Sequence, residues 1–167
     1  ARRDDVQLLI VNLLTDGKEL TEALNRLRRL GATMGDVTVL SGLDGVGNVE
    51  LSALRGEATV LIHQGMPRGI SIELLEEMWQ ARPIVSGRSS VAEAVMVHGR
   101  TGVIANTSSE QAKHILRLLN RPSLAERIGN AAHERVASRY LVTHHLAGYL
   151  KLFQQVLRNP SRRSQKR

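Results

Sequence analysis

The chain has 167 residues, a length that suits one domain able to bury a core without staples. It has no cysteine, which excludes disulfides and thiolate metal sites, and no apolar run approaches the ~18 residues of a spanning helix. The net charge of +7 is concentrated in Arg158, Arg162, Arg163, Lys166 and Arg167, and with only Trp79, Tyr140, Tyr149 and Phe153 as aromatics there is no platform for base stacking, which argues against a nucleic-acid face.

The elements follow in chain order. Val6–Val11 is a continuous apolar run, as expected of a strand covered on both faces of a parallel sheet. The basic residues before it do not make it a signal peptide, because the run is too short and lacks a small-residue cleavage site; a cytoplasmic protein is the expectation. After the turn Thr15-Asp16-Gly17, Glu19–Leu30 is amphipathic, with Leu20, Leu24, Leu27 and Leu30 in one stripe and Gly31 as the expected C-terminal cap. Val37–Leu40 is a second strand, Gly42–Gly47 a loop, Val49–Leu54 a short helix, and Ala58–Ile62 a third strand.

Met66–Arg88 then reads as a turn, a helix and a buried strand. Pro67, Arg68 and Gly69 make the turn, and Ser71 can cap a helix whose apolar positions are Ile72, Leu75, Met78 and Trp79. Pro83 stops it, and Ile84–Val85 begin a strand. A strand, a glycine turn and a helix N-terminus together form a ready anion site, because unpaired N–H groups and the helix dipole point at the turn. Ser89 and Ser90 can cap a short helix Val91–Val97; His98–Gly102 is a turn; Val103–Ala105 is a last strand. Ser108 or Ser109 can cap a helix Glu110–Leu119, a second runs over Ser123–Tyr140 after Pro122, and a third over Val142–Leu157 up to Pro160. Strands alternating with helices imply an α/β fold: a Rossmann-like, mainly parallel sheet with helices on both faces, the two long C-terminal helices packing across it. Residues 1–157 form the expected domain, and residues 158–167 a basic disordered tail.

These residues resemble the C-terminal, nucleotide-sugar-binding half of retaining GT-B glycosyltransferases, in the group that contains trehalose synthases and trehalose phosphorylases. The family pattern REGFGLxxxEAMWxGxPVVxxxxGGxxxxVxxGxTGxLV is matched by PRGISIELLEEMWQARPIVSGRSSVAEAVMVHGRTGVIA, from Pro67 to Ala105. Asn48–Leu54 resembles the family's N-x-E-V-N-A-L segment, and Leu124–Tyr140 its closing helix. The resemblance implies transfer of a hexose from a nucleotide diphosphate sugar with retention, no metal or other cofactor, and a first βα unit and an acceptor-binding N-terminal domain that this chain lacks. The partner would be that separate domain or a second copy of the chain.

The same resemblance implies the site. The second family glutamate, which holds the ribose of the donor, falls on Glu76; the first, which contacts the hexose, falls on Arg68. Gly-Phe-Gly becomes Gly69-Ile70-Ser71, and the Gly-Gly of the next helix becomes Ser89-Ser90, both facing phosphates; the base would lie near Leu40 and Ser41. His63 ends a strand at the edge where open α/β sheets bind ligands, and is a further candidate. Read without the family, Glu76 is a solvated helix residue beside Glu73 and Glu77, Arg68 a surface turn residue, and the serines helix caps. With it, Arg68 either blocks the hexose pocket or partly replaces the absent grip on the diphosphate, since a guanidinium binds phosphate bidentately. Two functions follow: a trehalose synthase-like glycosyltransferase domain, or a catalytically degenerate remnant that serves as a nucleotide-binding or protein-assembly module.

Overall fold

The computed structural model describes residues 6–12, 18–34, 36–64 and 72–158. They fall into two compact units, Ala1–Glu57 and Ala58–Arg167. The expected turns at Thr15–Gly17 and Pro67–Gly69, the Ser71 cap, and the tail beyond Arg158 lie outside the described residues.

The first unit holds β1 (Leu8–Asn12), α1 (Lys18–Met34), β2 (Val37–Ser41), a 3-10 turn at Gly42–Asp44 and α2 (Asn48–Glu57). Strands β1 and β2 pair in parallel, with Ile10 opposite Val39. Helix α1 passes through Gly31 instead of ending there. The glycine serves a close approach: a Cβ at that position would stand 2.7 Å from the Val37 carbonyl oxygen, so the helix lies against the start of β2 only because the side chain is missing.

The second unit is a parallel sheet in the order β3-β4-β5, formed by β3 (Leu61–His63), β4 (Ile84–Gly87) and β5 (Val103–Ala105). Its helices are α3 (Ile72–Trp79), α4 (Ser90–Val95), α5 (Ser108–Leu119), α6 (Pro122–Arg139) and α7 (Val142–Arg158). β4 is buried on both faces, and its alternating side chains enter two cores. Ile84 joins Leu74 and Met78 of α3, Val91 and Val95 of α4, and Ala132 and Val136 of α6. Val85 joins Val103, Leu118 of α5, and Ala125 and Ile128 of α6. The fold is therefore α/β, with parallel sheets flanked by helices, as the alternation of strands and helices predicts.

Three local expectations are corrected. On α3 the expected Met78 is buried and Leu75 packs half-buried against the core, but Leu74 takes the buried place expected of Ile72, and Ile72 and Trp79 are exposed. The cap of α5 is Thr107, whose hydroxyl accepts the Glu110 N–H, so Ser108 and Ser109 lie inside the helix. Of the two long C-terminal helices only α6 packs into the core. It presents small residues, Ala125, Gly129 and Ala132, that let it approach closely, whereas α7 buries none of its residues and leaves Leu146, Tyr149, Leu150 and Phe153 exposed.

The junction between α3 and α6 is a close one. α3 stops at Trp79, and Ala81 takes a left-handed conformation with φ 56° that turns the chain back into β4. His133 donates through Nδ1 to the Trp79 carbonyl at 2.6 Å and its ring lies 4.3 Å from the indole, centroid to centroid. A Cβ on Gly129 would sit 2.0 Å from the Ala81 carbonyl oxygen. Gly129→Ala should therefore lower unfolding free energy by about 1–3 kcal/mol, the range for overpacking a filled contact. Urea denaturation measures it, and an unchanged midpoint would show that α6 can withdraw without cost.

Candidate functional site

In open parallel sheets, ligands bind beyond the carboxyl ends of the strands. In the second unit the register sets His63 opposite Ser86, Ser86 opposite Ile104 and Gly87 opposite Ala105, so His63, Gly87 and Ala105 mark that edge. His63 is almost fully enclosed. Its Nδ1 lies 3.0 Å from Oε2 of Glu77, with side-chain exposures of 5% and 12%. A carboxylate can only accept, so Nδ1–H is the donor and Nε2 is left over. That Nε2 is buried and has no hydrogen-bond partner among the described residues. Ser86, also fully buried, donates its hydroxyl to the Gly87 carbonyl.

Glu76, next to Glu77 on α3, faces solvent. A helix advances about 100° per residue, so one turn carries one carboxylate inward to His63 and one outward. Ser89 is the N-cap of α4, its hydroxyl accepting the Ala92 N–H at 3.1 Å, and Ser90 is the first helical residue and exposed. The capping reading of Ser89 is thus realised. Arg68, Gly69, Ile70 and Ser71 lie outside the described residues.

Next to this edge is an open cleft of about 660 Å³, lined by Arg88, Glu93, His98, Asn106, Glu110 and His114 among others. Arg88 is tied to Glu93 at 2.7 Å and to Asn106. His98 accepts the Ile104 N–H at Nδ1, which fixes its proton on Nε2. The Glu110 carboxyl accepts the Asn106 N–H at 2.7 Å; that bond foremost, with help from the Thr107 N–H and the charge of His114, holds it below the usual carboxylate range. Among the described residues no three His, Asp or Glu side chains converge as metal ligands.

The remaining candidates belong to the first unit. Leu40 and Ser41 end β2. Ser41 is completely buried, and both its N–H and its hydroxyl donate to Oδ2 of Asp44 at 2.8 Å, with Arg28 of α1 bound to the same carboxylate. The Ser41 hydroxyl foremost, then its N–H and the Arg28 charge, lower the Asp44 pKa. Sequence reasoning missed Glu77, Arg28 and Asp44. For Glu77 there was a signal: it stands where the family pattern has the alanine of E-A-M-W.

A family model described as glycosyl transferases group 1 matches residues 1–121. The chain belongs to that family. Among its relatives, the trehalose synthase of Pyrococcus horikoshii is 28% identical over 149 residues, covering 88% of this chain and 36% of that protein. The trehalose synthase of Rubrobacter xylanophilus is 30% identical over 122 residues, covering 73% of this chain and 29% of that protein. This group 1 glycosyltransferase chain thus spans about a third of the length of the curated relatives it matches. Among solved structures, Anabaena HepE in complex with UDP-glucose superposes with a TM-score of 0.72 at 19% identity, over 89% of this chain and 42% of that one. Sucrose-phosphate synthase of Thermosynechococcus elongatus gives 0.72 at 19% identity, over 90% and 38%. At such identities the likeness is one of fold: the C-terminal half of a GT-B glycosyltransferase. The resemblance to the trehalose synthase group is borne out.

The two lowered carboxyls set a pH dependence. A depressed folded-state pKa adds stability that is present above the unfolded value, about pH 4 for carboxylates, and is lost as pH falls through the folded value. Acidification below that range should lower the urea midpoint of the wild type, and Glu110→Gln should flatten its share of the fall. Parallel profiles for the two proteins would remove Glu110 as a contributor.

Proposed function

We propose that this chain is the donor-binding part of a trehalose synthase-like glycosyltransferase, transferring a hexose from a nucleotide diphosphate sugar with retention of configuration. In the reaction the bond from the anomeric carbon to the diphosphate oxygen breaks, a bond to an acceptor hydroxyl forms on the same face, and the hydroxyl proton leaves with the diphosphate. No metal is required in this reading; the leaving charge is met by positive side chains and backbone N–H groups, an electrostatic task. The acceptor is held by a further domain, in keeping with a relative of which the matched region covers 36%. In this reading the enzyme works in the cytoplasm. Separately, no helix among the described residues is long and apolar enough to cross a membrane.

The observation that carries the proposal is the family match across residues 1–121 with Glu76 kept on α3, exposed, one helix beyond the carboxyl end of β3. Glu76 holds the ribose hydroxyls as an acceptor. Support also comes from the fold likeness to a protein solved with UDP-glucose. Arg68 favours a second reading, in which the domain has lost transfer and remains a nucleotide-binding or assembly module, because it stands where a hexose-contacting carboxylate is expected. The exposed apolar side of α7 suits the assembly version.

Calorimetric titration with uridine, adenosine and guanosine diphosphates separates these readings. One of them should bind, and Glu76→Gln should weaken it roughly ten- to a hundredfold, the loss expected for hydrogen bonds to a charged group. The 2′,3′-dideoxy nucleotide should bind both proteins alike. Absence of binding by all three at millimolar concentration would leave the assembly module. Arg68→Ala tests the phosphate grip: equal diphosphate affinity in variant and wild type would dismiss it.

A further inference from the structure

We propose that His63 and Glu77 form a hexose-binding dyad, in which Nε2 of His63 accepts a hydroxyl of the sugar carried by the donor nucleotide and Glu77 positions the ring. The proposal rests on the donor reading above and assigns the sugar end that Arg68 leaves without its carboxylate.

Three observations meet here. His63 closes β3 at the ligand-binding edge of the sheet, beside buried Ser86 of β4. Its ring is held on one side by a carboxylate that is itself mostly enclosed, at 3.0 Å. Its other nitrogen is buried without a partner among the described residues, although buried polar atoms are almost always hydrogen-bonded. In the neutral imidazole whose Nδ1–H is directed at Glu77, Nε2 offers a lone pair and asks for a donor. The diphosphate of a sugar nucleotide, esterified at both ends, has no hydrogen to donate at neutral pH; a sugar hydroxyl does. The chemistry of the orphaned nitrogen therefore selects the hexose over the diphosphate.

The sequence pattern points the same way. Against the family motif, this chain loses a carboxylate at position 68, where Arg68 stands, and gains one at position 77, where the motif has alanine. The gained carboxylate does not spread into solvent; it turns in against His63. An acceptor lost at position 68 of the sequence is thus matched by one at the strand end, with the imidazole as its contact and the carboxylate behind it. His63 is the residue that touches the ligand, and Glu77 acts through it, fixing tautomer and ring orientation as carboxylates do for histidines elsewhere.

The test compares the three nucleoside diphosphates with the corresponding glucose nucleotides, titrated into the wild-type chain, His63→Phe and Glu77→Gln. The wild type should bind one glucose nucleotide more tightly than its diphosphate. Both variants should lose roughly tenfold of that increment, as for one neutral hydrogen bond, while keeping the diphosphate affinity. Glu77→Gln conserves volume and decides the matter if His63→Phe does not fold. A second readout is the imidazole 15N spectrum: the His63 Nε2 resonance should move on adding the glucose nucleotide and stay in place on adding the diphosphate, and Glu77→Gln should change the tautomer balance.

Retention of the full increment by both variants would overturn the dyad and leave Nε2 to a buried water, without touching the donor reading. Equal losses for diphosphate and glucose nucleotide would overturn it in favour of a structural role. Absence of an increment in the wild type would overturn it as well. Failure of every diphosphate to bind the wild type would overturn the donor reading, and the dyad with it.

Discussion

The second unit depends on one strand being enclosed from both sides. Ile84 and Val85 are each completely buried, yet they point in opposite directions and serve different cores. Removing water from both faces of β4 is what recruits α3 and α4 on one side and α5 on the other, with α6 reaching both. Hydrophobic burial sets this arrangement, at roughly 1.5–3 kcal/mol for each fully buried aliphatic side chain. Parallel pairing then places the carboxyl ends of β3, β4 and β5 along one edge, where His63 and Ser86 are buried polar groups.

Much of this could be read from the chain. Val103–Ala105 needed no revision, and the strands at Val37 and Ile84 start where their apolar runs start. Local signals served wherever one element decided the outcome. They failed where a second element intervened. Gly31 has the composition of a helix end, but its role is set by Val37 across a turn. Thr107 outcompetes Ser108 because its hydroxyl meets the Glu110 N–H, a choice of geometry between neighbours of like chemistry. On α3 the pattern gives Met78 and Leu75 but not Leu74, and Glu77 reads as polar and hence as solvated although it meets a histidine fourteen positions earlier.

The site divides in the same way. Glu76 and His63 could be singled out because one occupies a motif position and the other a strand end. Their surroundings could not be read, since hydrogen-bond partners such as Glu77, or Arg28 and Asp44 around Ser41, come together only through folding. The resemblance implies roles for these residues, and one departure from its pattern is structural: where the pattern has alanine, Glu77 anchors the buried imidazole of His63.

Gly129 carries a consequence for how the helices may be arranged. The position facing the Ala81 carbonyl tolerates no side-chain carbon. One helical turn is about 5.4 Å, and a slip of α6 by that amount would bring Ala125 or His133 to the same spot, each with a carbon where none fits. The contact therefore acts as a keyway. It admits a single register of α6 along the unit, and in doing so indexes His133 under Trp79.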